Sequence, residues 1–464
     1  MQNMKVNRED EFRYSKLAND IRTQILGGYF KPGEYLQSEN DLCKSYNLSR
    51  TSVRKALDIL ASEKLIIKKQ GSGSIVSPEI AFKESDHSCL KILTTSPSHF
   101  VDTCMEQLVE AFESHYPNIK VQLIHIHESY FQQFISPDSN LNIKPDLIFV
   151  SDKQSIELSE SNHFVNLTSL INHDIIENIN PDLLRLTRQN EYTYLPITYS
   201  PVLLAYNEGL FEKYNVDCPN INWRKLDYVR AAQKLSLDTN QDGIVDQYGL
   251  SLSTSIARWP TIPLQFGVNF NNFKNQEQLY RSLDFIHDLV YRYKIATISP
   301  QNVLNSKAFF YEKAAMVLTT NLEIAGWKKG HIPFRPKTTF LNLENSYKTL
   351  LIANGFMVPS ISDKNHLAAK FIEIALSEKL QQKLFEDYQF LSVLKSKMKT
   401  SWKNSDLFYN SNIENSTTKN GVFLHELFTD LSILEKLESE MCLYWAGIES
   451  AEFFSDRMVH FFRE

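Results

Sequence analysis

The sequence predicts an α/β protein in two parts: a small head of helices ending in a β-hairpin, and a long body of alternating strands and helices. Three observations predict it. The 464 residues exceed one typical domain. Residues 1–78 hold thirteen Lys/Arg against nine Asp/Glu, a balance of +4, whereas the remaining 386 hold 36 against 46, a balance of −10. Helical periodicity in the head gives way, from Cys89 onward, to strand–helix–strand spacing. A basic head on an acidic body suits a nucleic-acid reader joined to a part that does not touch nucleic acid.

Composition narrows the class. Hydrophobic residues make up 42% and charged residues 22%, enough apolar material for sizeable cores. Cys43, Cys89, Cys104, Cys218 and Cys442 are odd in number and scattered, with no CxxC pair, so neither a disulfide framework nor a thiolate zinc site is expected. The opening MQNMKVNREDEFRYSKLAND lacks the apolar run of a secretory signal, and no stretch of about 18 apolar residues occurs. The expectation is a cytoplasmic protein without a membrane span.

The head reads element by element. Leu17, Ile21, Ile25 and Leu26 fall at helical spacing from Tyr14, and Gly27-Gly28 stops that helix. A turn follows at Lys31-Pro32-Gly33. Ser38 precedes Glu39, Asn40 and Asp41, an N-cap with acids in the first turn, and Leu42 and Tyr46 give the short helix a buried side. After a turn at Asn47-Leu48-Ser49, a helix over 50–64 presents Val53, Leu57 and Leu60 inward. Residues 65–67 read as a strand, 70–74 as a hairpin tip and 75–76 as the returning strand. Helix, short helix, turn, helix, hairpin is a winged helix-turn-helix. Its recognition helix would offer Ser49, Arg50, Thr51, Arg54 and Lys55 to the major groove: arginine for guanine, hydroxyls and lysine for phosphates. The glycine-rich tip, Gln70, Gly71 and Ser72, would approach the sugar-phosphate backbone.

The stretch YSKLANDIRTQILGGYFKPGEYLQSENDLCKSYNLSRTSVRKALDILASEKLIIKKQGSGSIV resembles the DNA-binding domain of GntR-family regulators. The match rests on I-x-x-G-x-x-x-P-G-x-x-L, S-E-x-x-L, S-R-x-[ST]-V-R-x-A-L and a G-x-G wing. It implies DNA contacts at Arg50, Thr51, Arg54, Gln70 and Gly71, with Ser38 and Asn40 beside them. Asn40 departs from the pattern, since relatives often carry Arg there.

Residues 79–88 are polar and read as a linker to a body over 89–464. Strands at 89–93, 119–124 and 146–150, with an amphipathic helix over 102–115, imply βαβ units and a parallel sheet. PDLIFVSDKQSIELSESNHFVNLTSLI, LPITYSPVLLAYNEGLFEKYNV, DTNQDGIVDQYGL, KAAMVLTTNLEIAGW, GFMVPS and WAGIESAEFFSDRM, in that order, resemble extracellular solute-binding proteins of the carbohydrate ABC-importer type. The resemblance implies a two-lobed, periplasmic-binding-protein-like body with ligand held between the lobes.

A sugar ring offers a face of C–H groups to an aromatic ring and a rim of hydroxyls to polar side chains. Tyr199, Trp259 and Trp327 follow segments that line the ligand cleft in that family. Trp327 comes after a polar loop holding Asn321 and Glu323 at the end of a strand. Ser96, Ser151, Asp152 and Asn321 stand at strand C-termini, where open α/β sheets bind ligand. Trp223 reads as structural. Asp238, Asn240 and Asp242, with Asp246, imitate the first half of a calcium loop, but Gly249 stands where a bidentate Glu is required, so a structural turn is the expectation. His125 and His127 alternate on one strand beside Glu128 and read as surface or packing residues.

No enzyme is expected and no cofactor. A GntR head also occurs fused to a pyridoxal-phosphate domain, but no S-x-x-K in a strand-to-loop setting and no Asp-x-Ala/Gly-Tyr strand is present. A transport receptor is disfavoured by the missing signal, and a peptide or other polar solute is the alternative effector. The reading is a homodimeric transcriptional regulator on a double-stranded, pseudo-palindromic operator, controlled by a small carbohydrate that closes the lobes.

Overall fold

Amphipathic spacing in the head becomes a closed apolar core. The computed structural model describes residues 14, 15, 17, 18, 21, 22, 25, 30, 32–46, 48–69, 73–78, 89–96, 98–117, 119–127, 130–131, 144–159, 163–186, 191–270, 276–299, 306–327, 332–344, 346–397, 418–428 and 433–461. Leu26-Gly27-Gly28, Lys31, Asn47, the 79–88 linker and Glu128 lie outside them. The described residues from 14 to 25 are helical. Their Leu17, Ala18, Ile21 and Ile25 pack with Leu42, Val53, Leu57, Leu60, Ile66 and Val76 in one cluster drawn entirely from the head. The second and third helices are Glu39–Tyr46 and Arg50–Ser62. The third stops two residues earlier than its spacing suggests, because Lys64 takes a left-handed φ of 61° and closes the turn. The hairpin follows: β1 (Ile66–Lys69) pairs antiparallel with β2 (Gly73–Val76), Ile66 opposite Val76.

The chain divides into two compact units: 1–150 with 163–171 and 356–374, and 151–162 with 172–355 and 375–464. Beyond the head, the first unit holds β3 (Cys89–Ser96) between β4 (Lys120–His127) and β5 (Leu147–Ser151), all parallel as the spacing predicts. Helix His99–His115 starts earlier than expected because Ser98 caps it, accepting from the Val101 amide at 3.4 Å. Phe112 on that helix meets Phe371 at 5.2 Å, and Phe149 lies between Phe100 and Phe356 at 5.0 and 5.2 Å.

The second unit is built on β6 (Leu195–Tyr206), buried along its whole length. Its sheet also holds β7 (Tyr248–Ser253), β8 (Ala296–Ser299), β9 (Ala314–Thr320), β10 (Lys337–Thr339), β11 (Thr349–Met357) and β12 (Gly421–Val422). β9 runs antiparallel to β6 and parallel to β7, which pairs in parallel with β8. β10 lies antiparallel on β6, and β12 parallel on β11. Gly355 of β11 lets two backbones touch: a Cβ there would stand 2.2 Å from the Leu195 carbonyl oxygen. Helices Gln276–His287 and Ala451–Phe461 pack together over a core containing Trp259, Leu283, Tyr444 and Phe454. Trp223 is half-buried against Phe211 and Tyr228. Among the described residues no helix is long and apolar enough to cross a membrane.

Candidate nucleic-acid interface and ligand site

The exposed face of the head is built by two serine caps. Ser38 accepts from the Asp41 amide at 3.2 Å and donates to its carboxylate at 2.6 Å, which starts the second helix. Ser49 accepts from the Ser52 amide at 3.1 Å and starts the third. That helix buries Val53, Ala56, Leu57 and Leu60 and leaves Arg50, Thr51, Arg54 and Lys55 exposed on the opposite stripe. The two arginines do not hang free. Arg50 donates Nε and Nη2 to Asn40 Oδ1 at 3.0 and 2.5 Å. Arg54 donates Nε to both Glu39 carboxylate oxygens at 2.9 and 3.2 Å. Lys55 Nζ stands 5.5 Å from the Tyr14 ring centre, and Lys69, at the root of the wing, 5.7 Å from that of Tyr35. Glu39 escaped the sequence reading as a partner; its only signal was an acid in the turn that faces the next helix. Gln70, Gly71 and Ser72 lie outside the described residues.

In the body, Ser96 ends β3, half-buried. Ser151 ends β5, where its amide and hydroxyl both donate to Gln154 Oε1 at 3.0 and 3.2 Å. Asp152 is buried and accepts from the Ala353 amide at 3.1 Å. Burial pushes its carboxyl up to about 7 despite that amide, and the buried Tyr194 phenol nearby is driven well above its usual range.

This gives a pH prediction. An unfolded aspartate loses its proton near pH 3.9. Between about pH 4 and pH 7 the unfolded chain has released that proton while the folded protein still holds it, so stability falls as pH rises through the window. Asp152→Asn keeps an acceptor for the Ala353 amide and cannot ionise. It should match the wild type near pH 4 and exceed it at pH 8 by up to roughly 4 kcal/mol. Urea unfolding at the two pH values checks this; a gap that does not change with pH removes the ionisation account.

The C-terminal ends of β7 and β9 carry a polar cluster. The segment from Asn321 is a helix, Asn321–Trp327, not the loop the sequence suggested. Thr320 Oγ1, accepting from the Glu323 amide at 3.2 Å, fastens its first turn. The Asn321 amide donates to Ser200 Oγ at 2.7 Å. Glu323 accepts from Ser306 at 2.6 Å, Thr319 at 2.8 Å and Arg258 Nη2 at 3.2 Å. Arg258, Ser306 and Thr319 were missed by the sequence reading: Arg258 and Ser306 lie 65 and 17 residues from Glu323, and Thr319, only 4 away, sits in the preceding strand with nothing to mark it as a partner. In the same unit, Arg258 Nε, Asn321 Oδ1 and, just after Arg258 in the chain, Trp259 Nε1 and Thr261 Oγ1 are buried without a hydrogen-bond partner among the described residues. Buried polar atoms left this way cost free energy until a ligand or water pairs them.

The three aromatics are packed against protein. Tyr199, Trp259 and Trp327 are 0, 2 and 4% exposed. Tyr199 is bridged through its backbone to Leu391. Trp259 lies edge-on to Phe270 and Trp445, with ring centres at 5.9 and 6.4 Å. Trp327 meets Phe309 and Phe310 at 5.6 and 5.1 Å in a separate cluster with Ala205 and Val317. A stacking role for any of them is a proposal that requires the ring to be uncovered.

The Asp238 loop turns its oxygens on itself. Asp238 accepts from the Gln241, Asp242 and Gly243 amides, and Asn240 donates to Asp242. Asp246 is held by Thr239 and by Lys313 at 3.0 Å. Hydrogen bonding to Thr239, above all, holds its carboxyl well below the usual range. Among the described residues the groups that converge closely enough for a metal ion are His173, Asp174 and Glu177, all exposed. His125 Nδ1 pairs with Thr94 Oγ1 at 2.8 Å, and His127 lies edge-on to Tyr130.

Residues 103–382 match the family described as bacterial extracellular solute-binding protein, and residues 13–76 that of bacterial regulatory proteins, gntR family. An arabinose metabolism transcriptional repressor of Halalkalibacterium halodurans is 28% identical over 162 residues, 34% of this chain and 43% of that protein. The HTH-type transcriptional regulator TreR of Bacillus subtilis is 44% identical over 73 residues, 16% of this chain and 29% of that protein. The chain thus spans less than half the length of these curated relatives. Among solved structures, an ABC substrate-binding protein from Listeria monocytogenes in complex with cycloalternan superposes with a TM-score of 0.69 at 19% identity, covering 82% of this chain and 98% of that one. The maltose/maltodextrin-binding domain MalE from Bdellovibrio bacteriovorus bound to maltotriose gives 0.67 at 16%, covering 81% and 98%. At such identities the likeness is one of fold.

Proposed function

This chain belongs to the bacterial extracellular solute-binding protein family, and from a gntR-type head joined to that fold we propose a transcriptional regulator whose DNA binding is controlled by a small carbohydrate. The single observation that carries the reading is the pairing itself: a helix presenting Arg50, Thr51, Arg54 and Lys55 outward, in the same chain as a body built to hold a solute. Residues 1–78 would be the reader, 79–88 the linker and 89–464 the sensor. The oligosaccharides in the structures that resemble the body favour a sugar. The buried polar atoms of Arg258, Trp259, Thr261 and Asn321 that have no partner among the described residues are suited to its hydroxyls.

In this reading the protein is a cytoplasmic homodimer on a two-fold operator and performs no catalysis. Ligand binds one arrangement of the lobes better than the other and so shifts the readers relative to the half-sites. Arg50→Ala and Arg54→Ala should each weaken specific DNA binding by about 1–3 kcal/mol, roughly ten- to a hundredfold. Footprinting at moderate salt on a duplex selected from a randomised pool reads this out, and wild-type footprints from both variants would sink the reader. Calorimetric titration with a panel of oligosaccharides tests the sensor; heat from none of them would sink that half.

A further inference from the structure

We infer that Asn40 is a positioning residue for base recognition: it holds Arg50 by one edge of its guanidinium and leaves the opposite edge for a guanine. The inference rests on the head being a DNA reader, as proposed above. A guanidinium carries five N–H groups in a rigid fork. Arg50 commits Nε and one hydrogen of Nη2 to Asn40 Oδ1, at 3.0 and 2.5 Å. That uses the side edge and leaves the terminal Nη1/Nη2 pair, whose two parallel donors match the O6 and N7 acceptors of guanine. Asn40 stands where it can do this because the Ser38 cap starts its helix one residue earlier, and the first turn faces the start of the recognition helix.

The neighbouring pair sharpens the point. Arg54, one turn further on, is held by the carboxylate of Glu39 in an ion pair at 2.9 Å. Adjacent residues of one helix thus supply an acceptor to each of two successive arginines on the next, one charged and one neutral. The neutral amide of Asn40 orients Arg50 without offsetting its charge, so the full positive field stays available to the nucleic acid. An arginine already held in one rotamer also loses less conformational freedom on binding. Asn40 therefore works through Arg50 and not as a base contact of its own.

The test uses the full chain and the duplex it enriches from a randomised double-stranded pool. Fluorescence anisotropy measures affinity for that duplex and for its single-base variants. Arg50→Ala should flatten the preference at one base pair. Asn40→Ala should flatten the same base pair and weaken binding about tenfold, and the double variant should be no worse than Arg50→Ala alone. Asn40→Asp should restore the base preference, because the acceptor returns, yet bind less tightly at low salt, because a negative charge has been added beside the phosphates. Thermal melting should be unchanged, as Asn40 is exposed. Three results overturn the inference: a wild-type base preference in Asn40→Ala, loss at a different base pair, or additive losses in the double variant. Specific binding that survives Arg50→Ala overturns instead the reader on which the inference stands, so the two failures are told apart.

Discussion

Glu323→Ala is expected to destabilise the protein by about 3–5 kcal/mol, since it strands the buried charge of Arg258 and the hydroxyls of Ser306 and Thr319 together. The side chains of Arg258 and Glu323 are only 12 and 10% exposed, so solvent cannot take over the lost contacts. Arg258→Ala should cost a similar amount for the mirror-image reason. Replacing both, as Arg258→Met with Glu323→Leu, should recover most of the loss, because two apolar side chains of similar size carry no desolvation penalty. Urea unfolding of the four proteins closes the cycle. Additive losses, with no recovery in the double variant, would mean the two side chains are not partners in solution. The cycle also bears on ligand. If Glu323 serves to aim Arg258 at a sugar, the double variant should fold well and yet give no heat with oligosaccharides.

What the sequence made legible divides along a physical line. In the head, the Ser49 cap and the left-handed Lys64 that ends the third helix two residues early were not read. The elements of its described part were readable because their signals are local: a cap at Ser38 and apolar residues at helical spacing. The parallel β3–β4–β5 arrangement was readable for the same reason, from strand–helix–strand spacing within about 60 residues. The partners of Arg50 and Arg54 were not, although they lie only 10 and 15 residues away, because hydrogen bonding between two helices depends on their packing and not on spacing within either. The Glu323 cluster was harder still. It gathers Arg258, Ser306 and Thr319 from three segments, and Ser200 reaches Asn321 across 121 residues. The polar run before Trp327 read as a loop because Thr320 and Asn321 favour turns, yet Thr320 instead fastens the first turn of a helix.

Trp327→Ala should behave as the loss of a core residue. At 4% exposure, set against Phe309 and Phe310 and clustered with Ala205 and Val317, the indole fills core volume that alanine would leave empty. Truncating a buried tryptophan costs about 3–5 kcal/mol through lost transfer free energy and the cavity left behind. A stacked, ligand-facing indole would instead leave stability nearly untouched and cost about 1–3 kcal/mol in binding. Denaturant unfolding and oligosaccharide titration on the same variant separate the two. The packing predicts a large shift in the unfolding midpoint, and Trp327→Phe recovering much of it, since a smaller ring still covers Phe309. If Trp327→Ala unfolds within about 1 kcal/mol of wild type while its sugar affinity collapses, the indole is uncovered in solution and its packing against Phe309 and Phe310 yields to ligand. Trp259 is the built-in comparison. Its ring is packed against Phe270 and Trp445, but its Nε1 has no partner among the described residues, so Trp259→Phe keeps most of the packing and removes the indole's one donor, which a sugar hydroxyl could use. That variant should lose affinity with little change in stability, the reverse of Trp327→Ala.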